Sequence, residues 1–307
     1  MVVVRTTSIV CPLPSDWVLC IMTNSDSTVF TLPFDVNIMR AEVTGLLKYA
    51  SETFIMPRWR ALDDADIAIK TSETDLVTIA DREAELFLSP HLEALLTGSF
   101  ALGEEACSEQ GNILNRAEDK WVWAIDPVDG TNNFVKGTQQ FCSMVSLAHY
   151  GVPVMAWIYR PTEKDCLIAT AGAGVVMVSD DNTTTPLTRR YVSGDILKMS
   201  GSLNAMGLDK SVRDDVREKI KQLPGRTYTG CAGVEASHVA LGTADYIMHS
   251  KLTPWDNTPV DLICREAGSV AYLTPMKTRF SLGAKGILLV APDDASWDAL
   301  SAYIWDV

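Results

Sequence analysis

Histidine, paired cysteine, long apolar runs and positive charge are all scarce in this chain, and each shortage removes a class of function. The four histidines, His91, His149, His238 and His249, are never paired at metal-ligand spacing. A histidine-rich transition-metal site is therefore not expected, which leaves oxygen ligands and hard cations, Mg²⁺ above all. The seven cysteines are odd in number, scattered and without a C-x-x-C pair. Neither a disulfide framework nor a zinc knuckle is expected, and a reducing cytoplasm is the simpler setting. No run of about 18 apolar residues occurs, so no membrane-spanning helix is expected. Lys and Arg number 26 against 39 Asp and Glu, a net charge of −13. Such a field repels nucleic acid and acidic membrane surfaces, and neither is expected as a partner. A small phosphate can still bind where divalent cations sit between it and the carboxylates.

The 307 residues suffice for one large or two medium domains. From Asp35 to Met56 apolar residues recur at helical spacing (Val36, Met39, Val43, Leu46, Leu47, Ala50, Phe54), and Pro57 ends the run. Further helices are expected from Asp81 through Leu88, Asp209 to Leu223, Val234 to Leu241, after Asp256, and from Asp294 to Ile304. Short β-branched runs at Trp121–Ile125, Phe141–His149, Val154–Tyr159, Asp245–His249 and Gly286–Val290 read as strands. The strands between Trp121 and Val178 form a meander, and the class is α/β, helices and sheets in layers. The polar tract Asp180–Pro186 is expected to connect an N-terminal half, residues 35–185, to a C-terminal half, residues 186–307. Residues 1–34 read as an extension, disordered or a translation artefact: Pro12, Pro14 and Asp16 interrupt the apolar run that a signal peptide needs, and Met22 opens a polar segment.

The chemistry concentrates where the strand Trp121–Ile125 runs into Asp126-Pro127-Val128-Asp129-Gly130-Thr131-Asn132-Asn133-Phe134. Two carboxylates stand at the carboxyl edge of a sheet, Pro127 stiffens the turn, and Gly130 lets the backbone bend toward a ligand. A helix starting near Thr131 would present its N–H groups to the same space. The same residues also fit an ordinary strand-to-helix loop with Asp129 as N-cap. Gly103-Glu104-Glu105 offers two more carboxylates, which by themselves read as solvated. Asp81 stands at a helix start, where it caps or serves the site. Pro259 lacks an N–H and is expected only in a first turn, so the helix there should begin near Asp256, which either caps it or binds a ligand.

Four segments taken together resemble the inositol monophosphatase family: Asp75-Leu76-Val77-Thr78 with Asp81; Gly103-Glu104-Glu105; Trp123 to Phe134; and Trp255-Asp256 with Glu266-Ala267-Gly268. The resemblance runs from about residue 36 to the end, and its Asp-Pro-x-Asp-Gly-Thr motif is specific. It implies alternating α-β-α-β-α layers, a homodimer, lithium sensitivity, and a Mg²⁺-dependent phosphatase holding about two or three ions. Glu104, Asp126, Asp129, Asp256 and the Val128 carbonyl would be the metal ligands, and the N–H groups of Gly130 and Thr131 would hold the phosphate. Thr131, oriented by Asp81, would with Glu104 position and deprotonate a metal-activated water for in-line attack on phosphorus. Ala232, His249 and Asp256 would meet the alcohol. The family's inositol enzymes carry Glu at the position of His249, and an imidazole accepts fewer hydrogen bonds than a carboxylate. Histidinol phosphate and a nucleotide 3′-phosphate are thus alternative substrates. A degenerate metal-binding or interaction protein is the non-enzymatic alternative.

Overall fold

The computed structural model describes residues 18–22, 27–70, 76–188 and 195–305. Asp75, part of the first motif segment, lies outside them, as do residues 1–17 and 23–26. Strands β1 (Val18–Met22) and β2 (Ser27–Thr31) pair antiparallel ahead of the first helix. Helix α1 (Val36–Ala50) starts at Asp35, whose carboxylate accepts from the N–H groups of Asn37 at 2.8 Å and Ile38 at 3.0 Å. It buries Val36, Met39, Val43, Leu47 and Ala50, the stripe read from the sequence. Strands β3 (Ile67–Ile69) and β4 (Leu76–Thr78) form a ribbon. Helix α2 (Ile79–Leu95) begins two residues earlier than expected, because Thr78 and not Asp81 is its N-cap, and it continues through Pro90.

Strand β5 (Phe100–Gly103) leads into α3 (Glu104–Glu109), and β6 (Trp121–Asp129) into the short α4 (Thr131–Val135). A meander follows: β7 (Cys142–His149), β8 (Val152–Arg160), β9 (Asp165–Thr170), β10 (Gly174–Ser179) and β11 (Thr184–Leu187). Together β11-β10-β9-β8-β7-β6-β5 make a seven-stranded sheet, antiparallel except for the parallel pair β5–β6. The polar tract expected as a connection is thus a hairpin. Thr184–Leu187 pairs with β10 as the edge strand, where Pro186 is tolerated because an edge needs fewer N–H donors.

The later residues supply β12 (Gly201–Asn204), α5 (Lys210–Ile220), α6 (Ala232–Ala240), β13 (Tyr246–His249), α7 (Pro254–Glu266), β14 (Val270–Thr274), β15 (Ile287–Ala291) and α8 (Asp294–Trp305). Four of these strands pair in the order β12-β13-β15-β14. Helix α7 starts at Pro254, before Asp256, and holds Pro259 in its second turn. Pro254 occupies N1, where no N–H is needed, and the Asn257 side chain accepts from the Thr253 N–H at 2.9 Å, so the start is secured upstream of the expected point.

Three apolar clusters define the layers. Helices α1 and α2 pack on one face of the large sheet. Helices α6 and α7 fill the space between its other face and the small sheet, and α5 and α8 cover the far side. The order is α-β-α-β-α. Strand β6, buried at every position, is covered on both faces. Two strands away in the sheet, β8 carries Trp157, fully buried, whose ring N–H donates to the Arg40 carbonyl of α1 at 3.4 Å and whose ring centroid lies 6.2 Å from that of Trp123. Trp157→Ala is expected to lower unfolding free energy by about 3–5 kcal/mol in urea titration. A loss within experimental error would mean this layer contact does not hold the sheet to α1.

Candidate metal centre

Parallel pairing of β5 with β6 aligns Gly103 with Ile125, so Glu104 and Asp126 emerge side by side at the carboxyl ends of both strands. The β6–β7 register then shifts between Asp126 and Asp129. Such a bulge re-aims side chains that a regular strand would send to opposite faces. Asp126 and Asp129 are 2% and 8% exposed. With Asp256 from the first turn of α7 they place ligand oxygens within 4.8 Å of one another.

Gly130, at φ 86°, follows at once. A Cβ there would meet the Gln140 carbonyl at 2.8 Å and Cys231 Cβ at 3.0 Å, so both backbone and space require glycine. Helix α4 opens at Thr131, and the N–H groups of Asn133 and Phe134 donate to the Gly130 carbonyl at 2.8 and 3.0 Å. Thr131 Oγ1 lies 3.2 Å from Asp81 Oδ1 and 3.0 Å from the Val128 carbonyl. The hydroxyl has one proton to give. Donation to Asp81 leaves the Val128 oxygen open. Asp81 closes a capping box on Thr78, accepting from its N–H at 2.8 Å and its hydroxyl at 2.5 Å, and so spans the start of α2 and the start of α4.

Glu104 is placed differently. Its carboxylate bonds Lys70 at 2.8 Å, and Lys70 also bonds Glu105 at 2.6 Å. Desolvation pulls the Lys70 ammonium down, but Glu104 and Glu105 outweigh it and the net shift is upward. Beneath them Glu85 accepts from the N–H groups of Glu105 and Ala106, both at 2.8 Å, capping α3 from below. Gly103 makes room, since a Cβ there would lie 2.1 Å from the Glu85 carboxyl carbon. Asp129 is fixed from the other side by the Gly233 N–H at 2.7 Å and the Cys231 thiol at 3.0 Å, with the Cys142 thiol at 3.7 Å.

Beside the acids lies a cavity of about 110 Å³ whose lining includes Ala232, His249, Asp129 and Asp256, three of them the residues expected to meet the alcohol. Both ring nitrogens of His249 are engaged within the protein: Nε2 with Glu235 at 3.3 Å, Nδ1 with Asn257 at 2.9 Å. Sequence reasoning singled out neither Lys70 nor Glu235, because a lone charged residue beside an apolar run, or inside a buried helix, has no spacing signature. Glu85 stood in a segment noted for Asp81 alone.

Residues 39–306 match the model of the Inositol monophosphatase family. The chain belongs to that family. It is 29% identical over 205 residues to an inositol-1-monophosphatase of Bacillus subtilis, covering 66% of this chain and 74% of that protein. It is equally 29% identical, over 221 residues, to a putative Nus factor SuhB of Neisseria meningitidis, covering 69% of this chain and 79% of that protein. Among solved structures, the Thermotoga maritima IMPase superposes with a TM-score of 0.72 at 20% identity, covering 88% of this chain and 98% of that one. A staphylococcal IMPase gives 0.73 at 18%, covering 88% and 96%. Membership makes the fold and the broad class, phosphatases of small phosphate esters, plain. The acidic groups fit the metal chemistry of the family, since crowded buried carboxylates need a cation to be ionised together.

Burial and like charge raise these acids. Asp81 rises to about 6 and Glu85 to about 7, mainly by burial. Asp256 rises to about 7 through burial, Asp129 and Glu104. Asp126 is pushed further up, by burial first and then by Glu104, Asp129 and Asp256. A carboxyl whose folded pKa exceeds its unfolded value contributes its full stability below the unfolded pKa and loses it as pH rises through the folded one. Stability of the metal-free protein is therefore expected to fall between about pH 5 and 8, and millimolar Mg²⁺ to restore part of it at the upper end. Urea midpoints at both pH values, with and without Mg²⁺, measure this; a metal-free midpoint that rises with pH would contradict it.

Proposed function

We propose that the protein is a Mg²⁺-dependent phosphomonoesterase acting on a small phosphorylated alcohol. The observation that carries this reading is the set of Asp126, Asp129 and Asp256 oxygens within 4.8 Å of one another. Their mutual repulsion is favourable to keep only where a multivalent cation compensates it. Glu104, Asp126, Asp129, Asp256 and the Val128 carbonyl would hold Mg²⁺, and an all-oxygen set suits that hard ion. When bound, Mg²⁺ supplies charge neutralisation on the phosphate and acidifies water. The chain does the rest. N–H groups of Gly130 and Thr131 would hold phosphate oxygens, the Thr131 hydroxyl, oriented by its hydrogen bond to Asp81, would position the attacking water, and Glu104 would accept that water's proton. No side-chain nucleophile is required.

Inositol 1-phosphate is the family's reference substrate, with histidinol phosphate and nucleotide 3′-phosphates as the runners-up. A homodimer, a cytoplasmic location and lithium inhibition belong to the same proposal by family likeness. The relatives named Nus factor SuhB raise a non-catalytic reading. Asp81, Glu104, Asp126, Asp129, Thr131 and Asp256 are all present here, which favours catalysis.

Phosphate release from the three substrates and p-nitrophenyl phosphate, with and without Mg²⁺, tests the proposal; no metal-dependent release from any of them would end it. Asp126→Asn should cut kcat/KM on the order of 10²–10³-fold, while raising the melting temperature of the metal-free protein by removing a repelling charge. Wild-type turnover at low Mg²⁺ in that variant would show the ligand assignment wrong. Lys70→Met frees Glu104 and Glu105 from their internal cation and should lower half-saturating Mg²⁺ roughly severalfold. An unchanged Mg²⁺ titration would remove Glu104 from the metal site.

A further inference from the structure

Two of the cysteines that lie scattered along the chain meet in the fold. Cys142 opens β7 directly opposite Asp129 in the β6–β7 ladder, and Cys231 is the N-cap of α6. They are 89 positions apart in sequence, yet their sulfurs lie 3.7 Å from each other. The Cys231 sulfur is 3.0 Å, and the Cys142 sulfur 3.7 Å, from the same oxygen of Asp129. All three side chains are buried, and both cysteines are free thiols.

These separations are those of ligands around one tetrahedral ion. Two metal–sulfur bonds of ~2.3 Å at the tetrahedral angle put the sulfurs ~3.8 Å apart, and a metal–oxygen bond of ~2.0 Å puts the oxygen ~3.5 Å from each sulfur. The surroundings hold the donors in place. The Gly233 N–H donates to the shared Asp129 oxygen at 2.7 Å, the kind of outer bond that orients a ligating carboxylate. Glycine at 233 also makes room, since a Cβ there would run into the sulfurs of Cys142 and Met144. Cys231 and Asp129 line the cavity of about 110 Å³ beside the acids, which gives an ion a way in.

The donor set chooses the ion. Paired thiolates select soft or borderline cations over Mg²⁺, whereas the neighbouring set of Asp126, Asp129 and Asp256 is all oxygen. Asp129 belongs to both groups, so the two sites would share one carboxylate.

We propose that Cys142, Cys231 and Asp129 form a second metal site, for a thiophilic divalent cation with Zn²⁺ foremost, and that its occupant opposes Mg²⁺ through the shared Asp129. As the two sulfur–metal bonds form, two thiol protons pass to solvent, and no oxidant or reductant takes part. Two divalent cations on one carboxylate repel, so each weakens binding of the other by the same factor. Only this opposition rests on the phosphatase reading; the thiolate site stands without it.

Cd²⁺ is the probe, because thiolate ligation gives it a near-ultraviolet charge-transfer absorption that carboxylates do not. Titrated into the reduced, Mg²⁺-free protein, it should develop this band to saturation at one ion per chain, and Zn²⁺ should displace it. Cys142→Ser and Cys231→Ser should each weaken Cd²⁺ binding at least about 100-fold, since outer partners of a metal site alone are worth ten- to a hundredfold. Cys166→Ser, a buried thiol of β9 outside the group, should leave the band unchanged. Cys142→Val, which keeps the position apolar without a donor, replaces the serine variant should that one fail to fold. Saturating Mg²⁺ should weaken Cd²⁺ binding at least about fivefold. No band in the wild type, or a band of wild-type affinity in a folded Cys142 or Cys231 variant, would overturn the site. Cd²⁺ affinity indifferent to Mg²⁺, in protein with Mg²⁺-dependent phosphate release, would overturn the sharing of Asp129. Release from p-nitrophenyl phosphate keeps the two readings apart: release without the band sinks only the thiolate site, and the band without Mg²⁺-dependent release from any substrate sinks only the phosphatase.

Discussion

Electrostatic repulsion among carboxylates that the fold forces together is the constraint on which the site depends. Asp126 and Asp129 leave one buried strand three residues apart, and Asp256 enters from α7. Separating them would mean breaking the β6 ladder or withdrawing α7 from the interlayer core. Because the core favours the close arrangement, the acids respond by holding protons, as their raised values show, or by holding a cation. The charge density at the site is thus a property of the layers as much as of the carboxylates.

Two buried acids that need not touch a ligand keep this arrangement in register. Glu85 caps α3 through two N–H groups and so fixes where Glu104 begins, in space left by Gly103. Glu235 gathers Thr229, Gly230, Ser202 and His249, which seats the loop bearing Cys231 against Asp129. Burial of such groups is costly unless they are hydrogen-bonded, and here two backbone N–H groups with little freedom to leave serve each of them.

Much of the fold was legible in the chain. The α1 stripe and the strands β7 and β8 follow from periods that local sterics impose, and all are seen near their expected bounds. The differences fall where a side chain supplies what the backbone lacks. Thr78 caps α2 in place of Asp81, Asn257 secures the start of α7 upstream of Pro259, and an edge position lets Pro186 join the sheet. In the site, the strand-to-turn motif announced Asp126, Asp129 and Gly130, whereas Glu104 looked like a solvated acid and its bond to Lys70 had no trace in the spacing.

The sequence by itself determined the chemical inventory: an acidic chain, few histidines, and an acidic turn with a glycine beside its two aspartates. These are local properties, decided by residue type and by neighbours along the chain. Only the tertiary structure decided which acids share a site, which are spent on capping, and that the small cavity beside His249 shares Asn204 and Tyr228 with a larger one. Contacts between β6 and α7 bring together residues as distant along the chain as Asp126 and Asp256, 130 positions apart (256 − 126), and no local period encodes which side chains then meet.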